Sequence, residues 1–176
     1  WGLVAVVAVL ASVAPLGGQT SPPPALDRAA IIAAARTVAG QARYASLITL
    51  DRTGQPQARI VDSFIPEDDL TIWIATNPLS RKVADIAADP RVTLLYFDAT
   101  TESYLTVIGA AQLVRDPAEK ARRWKAEWAG FYNDENRGDD YLLIRIEPSR
   151  LEVVAPTLGM TNDPATWRPV VLDLLP

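Results

Sequence analysis

Histidine and cysteine are both absent from this 176-residue sequence. Without them the chain cannot form a serine–histidine–aspartate triad, a cysteine–histidine pair, a zinc site of the usual ligands or a histidine-ligated haem. The absence of cysteine also excludes disulfide bonds, so the composition does not report the redox compartment. Many enzyme classes are therefore excluded, and we predict no metal site.

Positive charge is also scarce, with 17 lysines and arginines against 21 acidic residues and a net charge of −4. Such a chain has no global field that attracts nucleic acid or an anionic membrane, so neither is predicted as a partner. Any anionic ligand must be held by a local basic cluster. With 49% apolar and 22% charged residues, the sequence is typical of one globular domain that can bury a substantial core.

The first 18 residues carry no charge. Their apolar stretch is too short to span a bilayer, which takes about 20 residues, but it has the length of the hydrophobic region of a secretory signal. Small and polar residues and a run of three prolines follow. We therefore predict a signal peptide at 1–18, a linker at 19–26, export to the periplasm or medium, and no stable membrane span. The alternatives are a buried helix or an uncleaved anchor, and a cytoplasmic location.

Residues 27–155 are predicted to form one domain that begins with a helix over 27–42. After it the apolar period changes to two, which is typical of strands, and β-branched and aromatic residues are frequent. Strands are predicted at 44–50, 57–64, 70–76, 91–97, 103–114, 141–146 and 151–154, and helices at 77–89 and from 116 to about 130. Short antiparallel strands with helices between them indicate a small barrel with peripheral helices. Residues 156–176 show no clear period and are predicted to be an irregular tail.

The junction after the third strand concentrates chemical groups. Ser80, Arg81 and Lys82 are placed in the first helical turn, where backbone N–H groups, the positive end of the helix dipole, a hydroxyl and two cations converge. Arg81 can hold two phosphate oxygens in a fork, Lys82 supplies a point charge, and Ser80 or Thr76 can each donate one hydrogen bond. The junction predicts a phosphate site. The alternative is a capped amphipathic helix with solvated charges.

The same segment resembles a known family. The motif T-N-x-x-S-R-K at 76–82, followed by a short helix, D-P-R-V at 89–92 and an aromatic strand, is similar to the pyridoxamine 5′-phosphate oxidase-like, flavin-binding split-barrel superfamily. An R-x-V segment at 59–61 and a V-x-G-x-A-x-L strand at 107–113 also match, and residues 41–155 fit in order. The strand end near 116, the tryptophan-rich helix and the acidic loop that follow look more like the general stress protein 26 branch.

The resemblance implies a mainly β fold with flanking helices: a six- to seven-stranded antiparallel split β-barrel that forms a homodimer. In the family the R-x-V strand and the S-R-K turn bind FMN. Carried over by motif, the cofactor-binding residues are Arg59, Ile60 and Val61 along the flavin, and Thr76, Ser80, Arg81 and Lys82 around its phosphate. FAD and a deazaflavin are the alternative cofactors.

The function that the resemblance implies is an FMN-binding oxidoreductase that moves electrons between a reduced donor and a small organic acceptor. The alternative is a non-catalytic carrier of a flavin or tetrapyrrole. No side chain is identified as a catalytic acid or base. Residues 167–176 do not reproduce the W-R-L-A-P-like strand that ends a true pyridoxamine phosphate oxidase, so a vitamin B6 substrate is not expected.

Overall fold

The computed structural model describes residues 27–132 and 140–174. The predicted signal peptide at 1–18 and the linker at 19–26 therefore lie outside the described residues. Across the two described ranges, no helix has both the length and the apolar character that a bilayer crossing requires.

Seven strands, three α-helices and two short 3₁₀ helices make up the described part of the chain. In order they are α1 (Arg28–Ala42), β1 (Tyr44–Leu50), β2 (Pro56–Asp62), β3 (Ile72–Thr76), α2 (Arg81–Ala88), β4 (Arg91–Asp98), β5 (Ser103–Val114), α3 (Pro117–Arg122), a 3₁₀ helix (Ala126–Gly130), β6 (Leu142–Val154), a 3₁₀ helix (Pro156–Leu158) and β7 (Val170–Asp173).

The strands form one antiparallel sheet in the order β2-β1-β4-β5-β6-β3, and β7 pairs with the second half of β6. The two ends of this order meet, because a bridge joins Ser63 to Ile74 and the Phe64 N–H donates to the Trp73 carbonyl over 2.9 Å. The sheet therefore curls into a barrel that is only partly closed between β2 and β3. The predicted six- to seven-stranded antiparallel split barrel with flanking helices is confirmed, with seven strands.

Inward-facing side chains of alternate strand positions fill the barrel, and the apolar face of α1 packs on β4, β5 and β6. Tyr96 is fully buried, and its hydroxyl lies 2.8 Å from the Ser63 hydroxyl at the point where the barrel closes. Burial raises the pKa of Tyr96 to about 12. The phenol is therefore neutral at ordinary pH and ties β4 to the residue that follows β2.

The two strands predicted at 141–146 and 151–154 are a single strand, β6, which runs through Pro148. Proline interrupts the strand pattern in the sequence because it cannot donate to a β ladder. In the structure Pro148 sits opposite Gly109, at a β-bulge where the register of β5 and β6 shifts. The missing N–H is tolerated at this irregularity, so the strand continues.

The helix predicted from 116 to about 130 is also different, because α3 ends at Arg122 and a separate 3₁₀ helix begins at Ala126. The Arg123 guanidinium stacks over the Trp73 ring at 3.7 Å and pairs with Glu67 over 2.7 Å. Lys125 has an extended backbone and reaches Asp62 over 3.5 Å. These contacts with distant segments outweigh the local preference for a continuous helix.

The tail predicted to be irregular contains β7, whose Asp173 carboxylate accepts from Arg150 of β6 over 3.1 Å. Four residues are too few to establish a period, so the strand is visible only through its pairing. The apolar residues Val83, Ile86 and Ala87 predict the inner face of the helix expected at 77–89. Val83 and Ile86 are buried, but Asp85 takes the third inward position and Ala87 is exposed.

The bulge between β5 and β6 depends on the missing side chain of Gly109. A β-carbon at this position would overlap the Glu147 carbonyl oxygen and lie only 3.0 Å from the Pro148 Cα. We expect Gly109→Ala to lower the free energy of unfolding by about 1–3 kcal/mol, as overpacking does, in urea titrations. Gly40→Ala in α1 is the control: its β-carbon meets only Ile65 at 3.6 Å, and better helix propensity should add about 0.5–1 kcal/mol. Equal stabilities of Gly109→Ala and the wild type would contradict the argument.

Candidate functional site

The candidate site begins where β3 leads into α2. The Asn77 side-chain oxygen accepts from the Leu79 N–H over 2.8 Å, and the Asn77 backbone carbonyl accepts from the Ser80 N–H over 3.0 Å. These two hydrogen bonds turn the chain into the helix. Ser80 has the extended backbone of an N-cap, but its hydroxyl does not cap the helix and lies 3.2 Å from the Thr76 hydroxyl. In the first turn of α2 the Val83 N–H already donates to the Ser80 carbonyl over 3.0 Å, so the N–H groups of Arg81 and Lys82 are the ones available to a ligand.

Lys82 points back toward β3. Its ammonium donates to the Thr76 hydroxyl over 2.8 Å and forms no ion pair with any residue that the structure describes. Burial, and secondarily the positive charge of Arg59, lower the pKa of Lys82 below its ordinary value. Both effects disfavour the charged ammonium, and a bound anion would relieve the second of them.

Arg59 lies on the inner side of β2. One guanidinium nitrogen donates to the Thr49 hydroxyl over 2.6 Å and to the Leu47 carbonyl over 3.3 Å, and the other donates to the Asp85 carboxylate over 3.3 Å. Burial lowers the pKa of Arg59, Asp85 opposes this effect, and the charge of Arg81 lowers the pKa further. Arg59 therefore interacts with both cations at the start of α2.

Arg59, Arg81 and Lys82 form what we call the cation cluster. Asp85 is the one carboxylate paired with it among the described residues, so three positive charges face one negative charge. Arg81, exposed at the start of α2, forms no ion pair with the described part of the chain. A local excess of two positive charges at a helix N-terminus is a suitable site for a phosphate dianion.

A cavity of about 500 Å³ opens beside the cation cluster. It is lined by Arg43, Tyr44, Ile60, Val61, Asp62, Ala75, Thr76, Lys82, Glu127, Trp128, Phe131 and Tyr132. Four of the seven residues predicted from the sequence thus meet in one cavity. The other three interact with the lining residues or with one another. The Ser80 hydroxyl lies 3.2 Å from the Thr76 hydroxyl. Arg59 interacts electrostatically with Lys82, and Arg81 with Arg59.

The far wall of the cavity, formed by Trp128, Phe131 and Tyr132, was not predicted from the sequence. Trp128 is buried and does pack, edge-on against Phe64 at 5.7 Å and Tyr132 at 6.1 Å, but it also lines the cavity. Lys125 ties this wall to the end of β2 through Asp62. One signal was present in the sequence: Phe131 and Tyr132 are adjacent aromatic residues directly before the polar segment 133–140.

A family model for pyridoxamine 5′-phosphate oxidase matches residues 31–155 of the chain. The chain belongs to the pyridoxamine 5′-phosphate oxidase family. The matched range includes the cation cluster and every residue that lines the cavity.

Among curated relatives, a pyridoxine/pyridoxamine 5′-phosphate oxidase from Cupriavidus taiwanensis is 41% identical over 76 residues, which are 43% of this chain and 35% of that protein. The chain thus spans about a third of the length of the curated relative it matches.

Solved structures of this family share the fold. General stress protein 26 from Bacillus anthracis has a TM-score of 0.65 and 23% identity, covering 82% of this chain and 98% of its own. A pyridoxamine 5′-phosphate oxidase-related, FMN binding protein from Nostoc punctiforme has a TM-score of 0.56 and 14% identity, covering 85% of this chain and 96% of its own. The family match confirms the predicted superfamily, and the likeness to general stress protein 26 is a likeness of fold.

Proposed function

We propose that the protein is an FMN-binding oxidoreductase that moves electrons between a reduced donor and a small organic acceptor. The observation that carries the proposal is the excess of two positive charges beside an aromatic-walled cavity. A phosphate monoester carries a charge of about −1.5 to −2 at neutral pH, which matches this excess. FAD also carries two negative charges, but it spreads them over a diphosphate, which a compact cluster at one helix N-terminus matches less well than a single dianionic phosphate; a deazaflavin phosphodiester carries only one. The FMN-binding relative from Nostoc punctiforme supports the same choice.

The residues divide the cofactor between two ends of the cavity. The cation cluster and the hydroxyls of Thr76 and Ser80 would hold the phosphate together with the N–H groups of Arg81 and Lys82. We thus assign Arg59 to the phosphate end, whereas its motif implies a position along the flavin. Val61 of β2, with Trp128 and Tyr132 across the cavity, offers apolar surface that would exclude water from a flat ring. A bound flavin supplies the electron-transfer chemistry itself, so these protein groups bind and orient rather than react.

The cofactor itself provides the first test. Purified protein should show the absorption of a bound flavin, and the extracted ligand should have the mass of FMN. Anaerobic addition of NAD(P)H should bleach that absorption within seconds, because enzymes typically turn over at about 1–10³ s⁻¹. Bleaching over hours would instead identify a carrier, and a tetrapyrrole mass would overturn the cofactor assignment.

The phosphate assignment is tested at Arg81. Arg81→Ala removes charge-assisted hydrogen bonds worth roughly 1.5–3 kcal/mol, so FMN affinity should fall about ten- to a hundredfold in fluorescence-quenching titrations. Riboflavin lacks the phosphate and should bind the variant as it binds the wild type. Arg52→Ala, in the exposed β1–β2 turn, removes the same charge elsewhere and should change neither affinity. Equal small losses for both flavins would refute the assignment.

We also propose that the protein is a homodimer. The outer face of β2, β1 and β4 is apolar and exposed: Ile60 is 69% exposed, Phe97 60% and Tyr44 48%. Ile60 pairs with Ser46, which pairs with Leu95, so these side chains form a continuous row on one face. Exposed apolar surface of this kind marks an interface. Because Ile60 and Tyr44 also line the cavity, a second copy on this face would border the flavin site.

The proposed dimer is tested by substituting a charged residue onto that face. Phe97→Lys should shift the protein toward monomer in sedimentation experiments, because an interface buries such a side chain and an unpaired lysine there must lose its hydration. Leu158→Lys alters an exposed apolar residue after β6, outside the β2-β1-β4 face, and should leave the mass unchanged. A wild-type protein that is monomeric when saturated with FMN would contradict the shared site.

A further inference from the structure

The buried carboxylate of Asp85 is not explained by the residues that hold a flavin. Asp85 lies on the inner face of α2 and is only 5% exposed. A single oxygen, Oδ2, accepts from the fully buried Thr49 hydroxyl over 2.7 Å and from Arg59 over 3.3 Å. The same Thr49 hydroxyl accepts from Arg59 over 2.6 Å. The three side chains therefore form a closed triangle between β1, β2 and α2.

This triangle is an unfavourable way to pack a helix on a barrel. Burying an ionised carboxylate carries a large desolvation cost, and an apolar residue of similar size usually serves stability as well or better. The neighbouring inward positions of α2, Val83 and Ile86, are apolar. A purely structural role would be met by a third apolar residue at this position.

The contacts instead restrain Arg59. A guanidinium has five N–H donors, and the contacts to Leu47, Thr49 and Asp85 use three of them, which leaves two for a ligand. Arg59 is repelled by Arg81 and Lys82, and Asp85 is its counter-charge. Without the carboxylate, Arg59 would be free to turn away from the other cations.

We infer that Asp85 is a positioning residue that, with Thr49, fixes Arg59 in the cation cluster and thereby sets the selectivity of the site for a flavin that carries a phosphate monoester. This inference rests on the proposed function, since it concerns the phosphate end of the FMN site. Asp85 touches no ligand in this scheme and acts through Arg59.

The test is a double-mutant cycle on FMN and riboflavin affinity. Asp85→Asn keeps the shape of the side chain and adds one net positive charge to the site, yet we expect FMN to bind about tenfold more weakly because Arg59 is released. Riboflavin affinity should not change. In an Arg59→Ala background the same substitution should have no further effect on FMN, since effects that act through one residue are not additive.

Two further variants serve as controls. Asp89→Asn removes the same charge at the end of α2, where the carboxylate pairs with Arg91, and should leave FMN affinity unchanged. If Asp85→Asn does not fold, Thr49→Val removes the other hydrogen-bonding partner of Arg59 and should also weaken FMN alone, while Thr49→Ser should restore the affinity.

The outcomes separate this inference from the proposed function. FMN binding by Asp85→Asn that equals or exceeds wild type, additive losses in the cycle, or equal losses of FMN and riboflavin would each overturn the role of Asp85. A wild-type protein that binds FMN no better than riboflavin would instead refute the phosphate site itself. Apoprotein melting temperatures, measured for each variant, report the structural effect separately.

Discussion

The long antiparallel pairing of β5 with β6 is the constraint on which the rest of the barrel depends. β6 pairs with β5 along its length, with β3 over its first half and with β7 over its second half. The bulge at Gly109 allows one strand to serve both halves. Since β3 leads directly into α2, its pairing with β6 fixes where Thr76 ends and where the first helical turn begins.

The site at that junction carries unbalanced positive charge, and holding these charges together costs folding free energy. Lys82 is partly buried and Arg59 is desolvated, and burial lowers the pKa of each. Charges of one sign held together in this way do not favour folding of the ligand-free protein. Their arrangement is consistent with a site that is completed by an anion, since a ligand that binds only the folded state stabilises it.

The sequence predicted a strand-to-helix junction after Thr76, although α2 begins at Arg81 with Ser80 as its N-cap and not at residue 77, and it did not predict the contacts that β2 makes. A strand-to-helix junction is local, so the order of Thr76, Ser80, Arg81 and Lys82 suffices to place them. Side chains alternate along a strand, so Arg59 and Val61 face the barrel interior while Ile60 is exposed. The far wall of the cavity depends on contacts over long sequence separations, such as Lys125 with Asp62, which no local pattern reveals.

β2 contributes to both ends of the candidate flavin site, because successive side chains along the strand point to opposite faces of the sheet. Its inward residue Arg59 belongs to the cation cluster and reaches α2 through Asp85. Its outward residue Ile60 lines the cavity and continues the apolar face on which a second subunit would sit. A displacement of β2 would therefore move the phosphate end, the cavity and the subunit face together. The proposed phosphate recognition, ring binding and dimerisation are for this reason expected to be coupled through one seven-residue strand.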